Sequence, residues 1–328
     1  MKNYGLMDLH LHLDGSLSLS SVKELAALQN IEIPKDDAEL RKMLQVSDGC
    51  RDLNEYLEKF AFPCSLMQTA EGLTMAVHNL EAELAAQGLL YAEIRFAPQL
   101  HTLQGMSQRE VVEAAVKGMG QSALKSTLIL CCMRGKGNDE ANLETLCMAK
   151  EFLEKGVGAA DLAGAEALFP TADFEALFLQ AKEWDIPVTI HAGEADGPES
   201  VWKALELGAK RIGHGVRSLE DEALVAHLAA EGIPLELCPT SNLNTSIFDS
   251  YEAYPLRKLM EAGVKVTINT DNMTVSNTTV QEELKHMTDA LHLTEQELQQ
   301  LIWNGAEVIF ADDTTREWLK QELKKRFA

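Results

Sequence analysis

The sequence has no C-x-x-C pair, no run of about 18 apolar residues and no linker rich in Pro, Gly or Ser. Each gap removes a class of protein. Without paired thiols, Cys50, Cys64, Cys131, Cys132, Cys147 and Cys238 read as reduced side chains, most of them in apolar runs. Without a long apolar run, no segment is expected to span a bilayer. Residues 1–12 lack the apolar core and small-residue cleavage site of a secretory signal, so a cytoplasmic location is expected. Positive charge is scarce: 29 Lys and Arg stand against 51 Asp and Glu, a net charge of −22. Such a balance repels phosphate backbones and anionic lipid, which argues against nucleic acid and membrane as partners. A small neutral or cationic substrate fits better. The sequence names no protein partner.

What is present is a regular alternation. The chain has 328 residues, 46% of them hydrophobic, enough for a large core. Short apolar runs at 4–10, 90–96, 127–133, 156–161, 187–191, 210–213, 233–238 and 265–270 have the character of strands buried on both faces. Amphipathic stretches at 108–125, 140–155, 172–184, 199–207, 221–231 and 252–262 lie between them. Eight strands alternating with helices predict an α/β fold, a (β/α)8 TIM-type barrel. An open doubly wound sheet fits less well, because no Gly-rich phosphate turn follows the first strand.

The alternation breaks in two places. Helical patterns at 19–28, 53–60 and 70–87 predict a helical insertion after the first strand, about 13–88. There it would sit over the C-terminal mouth of the barrel as a lid. Patterns at 282–291, 295–310 and 315–327 predict a helical C-terminal tail, about 276–328. Trp318, Leu319, Leu323 and Phe327 fall on one side of its last helix, as a face packed on the barrel would. One domain spanning 1–328 is the simplest organisation.

The chemistry-bearing residues cluster at the ends of the expected strands. His10 and His12 end the first, His191 and Glu194 follow the fifth, His214 the sixth and Asp271 the eighth. Residues two apart on a strand point to the same side, so His10 and His12 can both face the barrel axis. With His191 and Asp271 they offer three imidazoles and a carboxylate, a donor set suited to Zn²⁺. An H-x-H pair alone is a weak signal; several polar residues sharing one strand-end location are hard to explain by packing. His78, His227, His286 and His292 lie in helical patterns and read as surface or packing residues. Asp161 reads as a hydrogen-bonding brace, and Ser241 as either a turn residue or a partner for His214. Leu53, Tyr56, Leu57, Phe60 and Phe62 either line the pocket or pack the lid.

Several stretches together carry a family resemblance. They are Met7-Asp-Leu-His10-Leu-His12-Leu-Asp14-Gly15-Ser16, Tyr91-Ala-Glu-Ile-Arg-Phe-Ala-Pro98, Asp161-Leu-Ala-Gly164, His191-Ala-Gly-Glu194, Arg211-Ile-Gly-His214-Gly-Val, Leu237-Cys-Pro-Thr-Ser-Asn242 and Asn269-Thr-Asp271. In this order the chain resembles the adenosine deaminase family of the amidohydrolase superfamily, from Met7 to about Asn272. The resemblance implies a (β/α)8 barrel holding one Zn²⁺ per chain on His10, His12, His191 and Asp271. It implies Glu194 as the acid that protonates purine N1, and His214 as the histidine beside the nucleophilic water. On the substrate side it implies His12, Asp14 at the ribose 5′-hydroxyl and Gly164 at purine N3.

The implied reaction is hydrolytic deamination of adenosine, and of 2′-deoxyadenosine, to inosine and ammonia, by zinc-bound hydroxide attacking C6. Zinc lowers the pKa of bound water from about 15.7 to about 7, and N1 must gain a proton before C6 becomes a good electrophile. The chain departs from the family pattern at one position, carrying Asn272 where a second aspartate is usual. Purine N7 is an acceptor, and an amide donates to it at every pH, so Asn272 suits the same contact. Adenine deaminases of this branch usually carry Glu where this chain has Asp14, so a nucleoside substrate is expected. The alternatives are deamination of adenine or another 6-aminopurine nucleoside, or a catalytically dead nucleoside-binding homologue. The expected fourth strand has no Lys to bridge a two-metal centre, and no P-C-x-x-C accompanies an H-x-E as in cytidine-type deaminases.

Overall fold

The protein is described by a computed structural model covering residues 4–47 and 50–328. Eight strands are found there: β1 Met7–His12, β2 Tyr91–Phe96, β3 Lys125–Met133, β4 Val157–Ala163, β5 Thr189–Ala192, β6 Arg211–His214, β7 Leu235–Leu237 and β8 Val266–Ile268. They pair in parallel and in chain order, β1 to β4 and β5 to β8. Single bridges at Ala160–Val188 and Leu11–Asp271 join the two halves into a ring. At the closing seam Asp271 N–H donates to the His10 carbonyl at 2.8 Å, and His12 N–H donates to the Asp271 carbonyl at 2.8 Å. The fold is a (β/α)8 barrel. Its strands are buried on both faces because helices cover the outer one; all six residues of β2 are buried.

Inside the barrel the packing is partly ionic. Arg95 on β2 reaches Asp161 Oδ2 at 2.9 Å and Glu236 Oε2 at 2.8 Å. Arg211 on β6 pairs with Glu236 Oε1 at 2.6 Å and Glu93 Oε2 at 2.5 Å. All five side chains are buried, and each charge meets an opposite one. Removing one member of such a set typically costs about 3–5 kcal/mol, because the remaining charge stays buried.

Among the described residues, five α-helices separate β1 from β2, Leu19–Gln29, Asp37–Leu44, Leu53–Leu57, Ala61–Ser65 and Ala70–Ala86, with a 3-10 turn at Glu58–Phe60. The tail holds Val280–Leu291, Glu295–Val308 and Asp313–Phe327. Leu319 and Leu323 are buried, and Trp318 and Phe327 pack against the core. Among the boundaries that differ from the sequence pattern, three have a clear local cause. β1 runs to His12 rather than stopping at His10, because its last residues pair with β2 and with Asp271. The helix expected over 108–125 is Gln108–Gly118: Met119 turns extended, Gly120 adopts φ +71°, and Lys125 already belongs to β3. The helix expected over 252–262 is Leu256–Glu261, since Pro255 sets its N-cap after a 3-10 turn at Tyr251–Ala253.

One tail residue makes stability depend on pH. Glu283, in Val280–Leu291, is buried and accepts from Thr240 N–H at 3.1 Å and Thr278 Oγ1 at 2.7 Å. Burial pushes its carboxyl up from 4.5 to about 7, against the lowering effect of those hydrogen bonds. The folded group therefore keeps its proton where the unfolded chain has lost it. Its contribution is intact below the unfolded value and declines as pH rises through about 7, by on the order of 3 kcal/mol. Glu283→Gln cannot ionise, and the Thr278 hydroxyl can rotate to accept from its amide. Its melting temperature should exceed wild type by a few degrees at pH 8 and lie at or below it at pH 5. A difference that stays constant across that range would rule this out.

Candidate active site

The strand ends deliver four donors to one point. His10 and His12 project from β1 two residues apart, His191 from β5, and Asp271 follows β8. His10 Nε2 lies 3.0 Å from His191 Nε2, and His12 Nε2 lies 3.2 Å from it. Asp271 Oδ1 is 3.5 Å from His10 Nε2 and 3.4 Å from His12 Nε2. Asp271 and His214 both hold left-handed backbone conformations, φ +61° and +59°. Such a conformation costs an ordinary residue about 1–2 kcal/mol, and strain of this kind concentrates at functional sites.

The outer atoms of the imidazoles decide what the inner ones can do. His10 Nδ1 lies 2.8 Å from Glu236 Oε2, and His191 Nδ1 lies 2.9 Å from Asp161 Oδ2. Ionised carboxylates only accept, so both Nδ1 atoms carry the proton and both Nε2 atoms present bare lone pairs. With Asp271 Oδ1 alongside, three acceptors crowd together, and a single proton cannot serve them all. A cation can. Tetrahedral ligands at about 2.0–2.1 Å from a zinc ion would stand about 3.3–3.4 Å from each other. The observed separations of 3.0 to 3.5 Å bracket that value. The residues fit a metal, and their outer partners fix the tautomers as metal-ligand histidines require.

Glu194 and His214 stand beside this cluster. His214 Nε2 is 3.6 Å from Glu194 Oε2. Asn242 spends one amide proton on each of them, at 3.3 Å to Glu194 Oε1 and 3.2 Å to His214 Nδ1. Its own oxygen accepts from Tyr254 at 2.9 Å, which supports that orientation. His214 Nδ1 is thus an acceptor, and its proton lies on Nε2. Burial, then the neighbouring His10 imidazole, push His214 well below the usual imidazole range, so it is neutral at pH 7. Burial, then Asp271 and Glu166, push Glu194 well above the usual carboxylate range. A carboxylic acid that burial makes hold its proton more tightly is poised to donate it to a bound base.

These groups share a cavity of about 310 Å³ with His12, Asp14, Gly164, Asp271 and Asn272. That is the size of a small-molecule site. Leu53, Tyr56, Leu57 and Phe60 from the helices after β1 form its apolar wall, whereas Phe62 packs into the main core. Asp14 Oδ1 and Asn272 Oδ1 are buried without a hydrogen-bond partner. Gly15 is dictated by Asn272: a Cβ there would lie 1.8 Å from Asn272 Oδ1.

The adenosine deaminase family model matches residues 6–326. The chain belongs to the adenosine deaminase family. It is 47% identical to an adenosine deaminase of Haemophilus ducreyi, over 100% of this chain and 98% of the other. It is 42% identical to one of Clostridium botulinum, over 97% of each. Among solved structures it is similar to an adenine deaminase from Arthrobacter aurescens, with TM-score 0.87, 28% identity and 98% coverage of both chains.

Within this adenosine deaminase fold the structure brings every sequence-selected residue, His10, His12, Asp14, Gly164, His191, Glu194, His214, Asp271 and Asn272, to one location. Ser241 is not a partner for His214. It donates to Asp271 Oδ2 at 2.5 Å, and its neighbour Asn242 takes the histidine instead. Asp161 braces His191 from β4. Sequence reasoning missed Glu236, Asn242 and Glu166. Glu236 is hidden in an apolar run, and only its in-facing register in β7 marks it out. His101 is buried away from the cavity, its Nδ1 facing the Met67 carbonyl at 3.2 Å.

Proposed function

We propose that this chain hydrolyses adenosine and 2′-deoxyadenosine at C6, releasing ammonia and the 6-oxo nucleoside, with one Zn²⁺ on His10, His12, His191 and Asp271. The observation that carries the reading is a buried acid, Glu194, sharing one cavity with a four-donor cation site. Relatives 42–47% identical over nearly their whole length are adenosine deaminases, which supports the same substrate class here. Zinc in that site would lower the pKa of a coordinated water to about 7 and so supply a nucleophile at neutral pH.

The side chains do the rest. Glu194 gives its proton to purine N1, which draws electron density from C6. His214 keeps its Nε2 proton directed at the attacking oxygen and stabilises charge developing there. Asp14 Oδ1 accepts from the ribose 5′-hydroxyl, and Asn272 offers an amide donor to N7 after rotation of its side chain. The helices after β1 serve as the lid that keeps bulk water from the cavity. Among the described residues no helix is long and apolar enough to cross a membrane.

The solved adenine deaminase makes the free base the specific rival. Adenine leaves Asp14 Oδ1 unpaired, so the site should reject it. In a panel of metal-analysed protein with adenosine, 2′-deoxyadenosine, 5′-deoxyadenosine and adenine, the first two should be turned over at similar kcat/KM. Loss of the 5′-hydroxyl should cost about 10–100-fold, and adenine should be slower still. Comparable kcat/KM for adenine and adenosine would remove Asp14 from substrate selection and favour the rival.

A further inference from the structure

Glu166 has no part in the mechanism above, yet it is 1% exposed and its two oxygens take five hydrogen bonds. Oε1 accepts from Gly193 N–H at 2.7 Å and Ser200 Oγ at 2.6 Å. Oε2 accepts from the N–H groups of Glu194 at 3.0 Å, Ala195 at 2.8 Å and Asp196 at 3.0 Å. Four consecutive amides turned toward one point form a concave anion site. Here a carboxylate of the same chain fills it. Gly193 permits the turn with φ +68°, where a Cβ would come 2.5 Å from Val201 Cγ2.

All five donors belong to the loop and helix that follow β5, and the second amide is that of Glu194 itself. We infer that Glu166 is a positioning residue for the proton donor, holding the 193–196 backbone so that the Glu194 carboxyl stays between Asn242 and His214. Arg134 extends the brace, donating to Thr171 Oγ1 at 3.0 Å and to the His191 carbonyl at 2.6 Å, while Thr171 meets Ser200 at 2.8 Å. A glutamine at 166 keeps the shape but has one acceptor oxygen and turns its NH₂ toward backbone donors. The loop must then shift, and misplacement by about 1 Å can cost about 100-fold in rate.

The inference rests on Glu194 acting as the acid, and its test separates the two. Glu166→Gln is compared with wild type for kcat, for KM with adenosine, and for binding of 1-deazaadenosine, which lacks the N1 that receives the proton. The expected result is a kcat about 10–100-fold lower, with KM and 1-deazaadenosine affinity within about twofold of wild type. In a Glu194→Gln background the same change should lower the residual rate by no more than about threefold, because the group it serves is gone. Full additivity in that background, or an equal loss of 1-deazaadenosine binding, would overturn the inference in favour of a general loop anchor. If Glu166→Gln shows no cooperative melt, Ser200→Ala removes one donor and leaves the carboxylate. It should lower kcat about 3–10-fold with the same split, and an unchanged kcat would overturn the inference. Wild-type protein inert toward adenosine would overturn this inference and the functional reading together.

Discussion

Glu194→Gln is expected to retain its metal and to lose about 10²–10⁴-fold in kcat, with KM for adenosine changed little. The amide matches the carboxyl in shape and can still meet N1, but it has no proton to transfer. Its metal is untouched because none of the four donors comes from Glu194. The same role fixes the sign of the pH profile. Activity requires the protonated acid, so kcat falls as pH rises through the value that burial has raised. That alkaline limb should flatten in the variant. Turnover within about threefold of wild type would remove Glu194 from the mechanism.

His191→Ala is expected to have the other large effect, a loss of bound metal on dialysis and of activity by about 10⁴-fold or more. Deleting one of four donors also takes the His191 partner from the fully buried Asp161 carboxylate, leaving Arg95. Asp161→Asn should be milder, weakening metal affinity by about 10–100-fold while keeping all four donors. Dialysed His191→Ala with wild-type metal content and rate would place the cation elsewhere.

The grouping of the candidate site residues was readable from sequence because barrel geometry converts position into direction. A polar residue at or just past the C-terminal end of a buried strand faces the mouth, so His10, His12, His191, His214 and Asp271 stood out. The layer beneath them did not. Glu236 sits in an apolar run, and its four partners, His10, Arg95, Thr189 and Arg211, come from four other strands. Only closure of the ring brings them together. Glu166 was missed for a related reason, since its partners are backbone amides of a loop 27 to 30 residues away. Ser241 and Asn242 show the limit of register: both follow β7, and a one-residue difference decides which meets Asp271 and which meets His214. The overlong helix at 108–125 has a local cause, because apolar periodicity continues past Gly118 into the approach to β3.

The most direct measurement is a zinc titration of metal-free protein with adenosine deamination as the readout. The convergence of His10, His12, His191 and Asp271 on one point predicts no turnover without metal, then a linear rise that saturates at one zinc per chain. Full activity in metal-free protein, or saturation only at two equivalents, would contradict it.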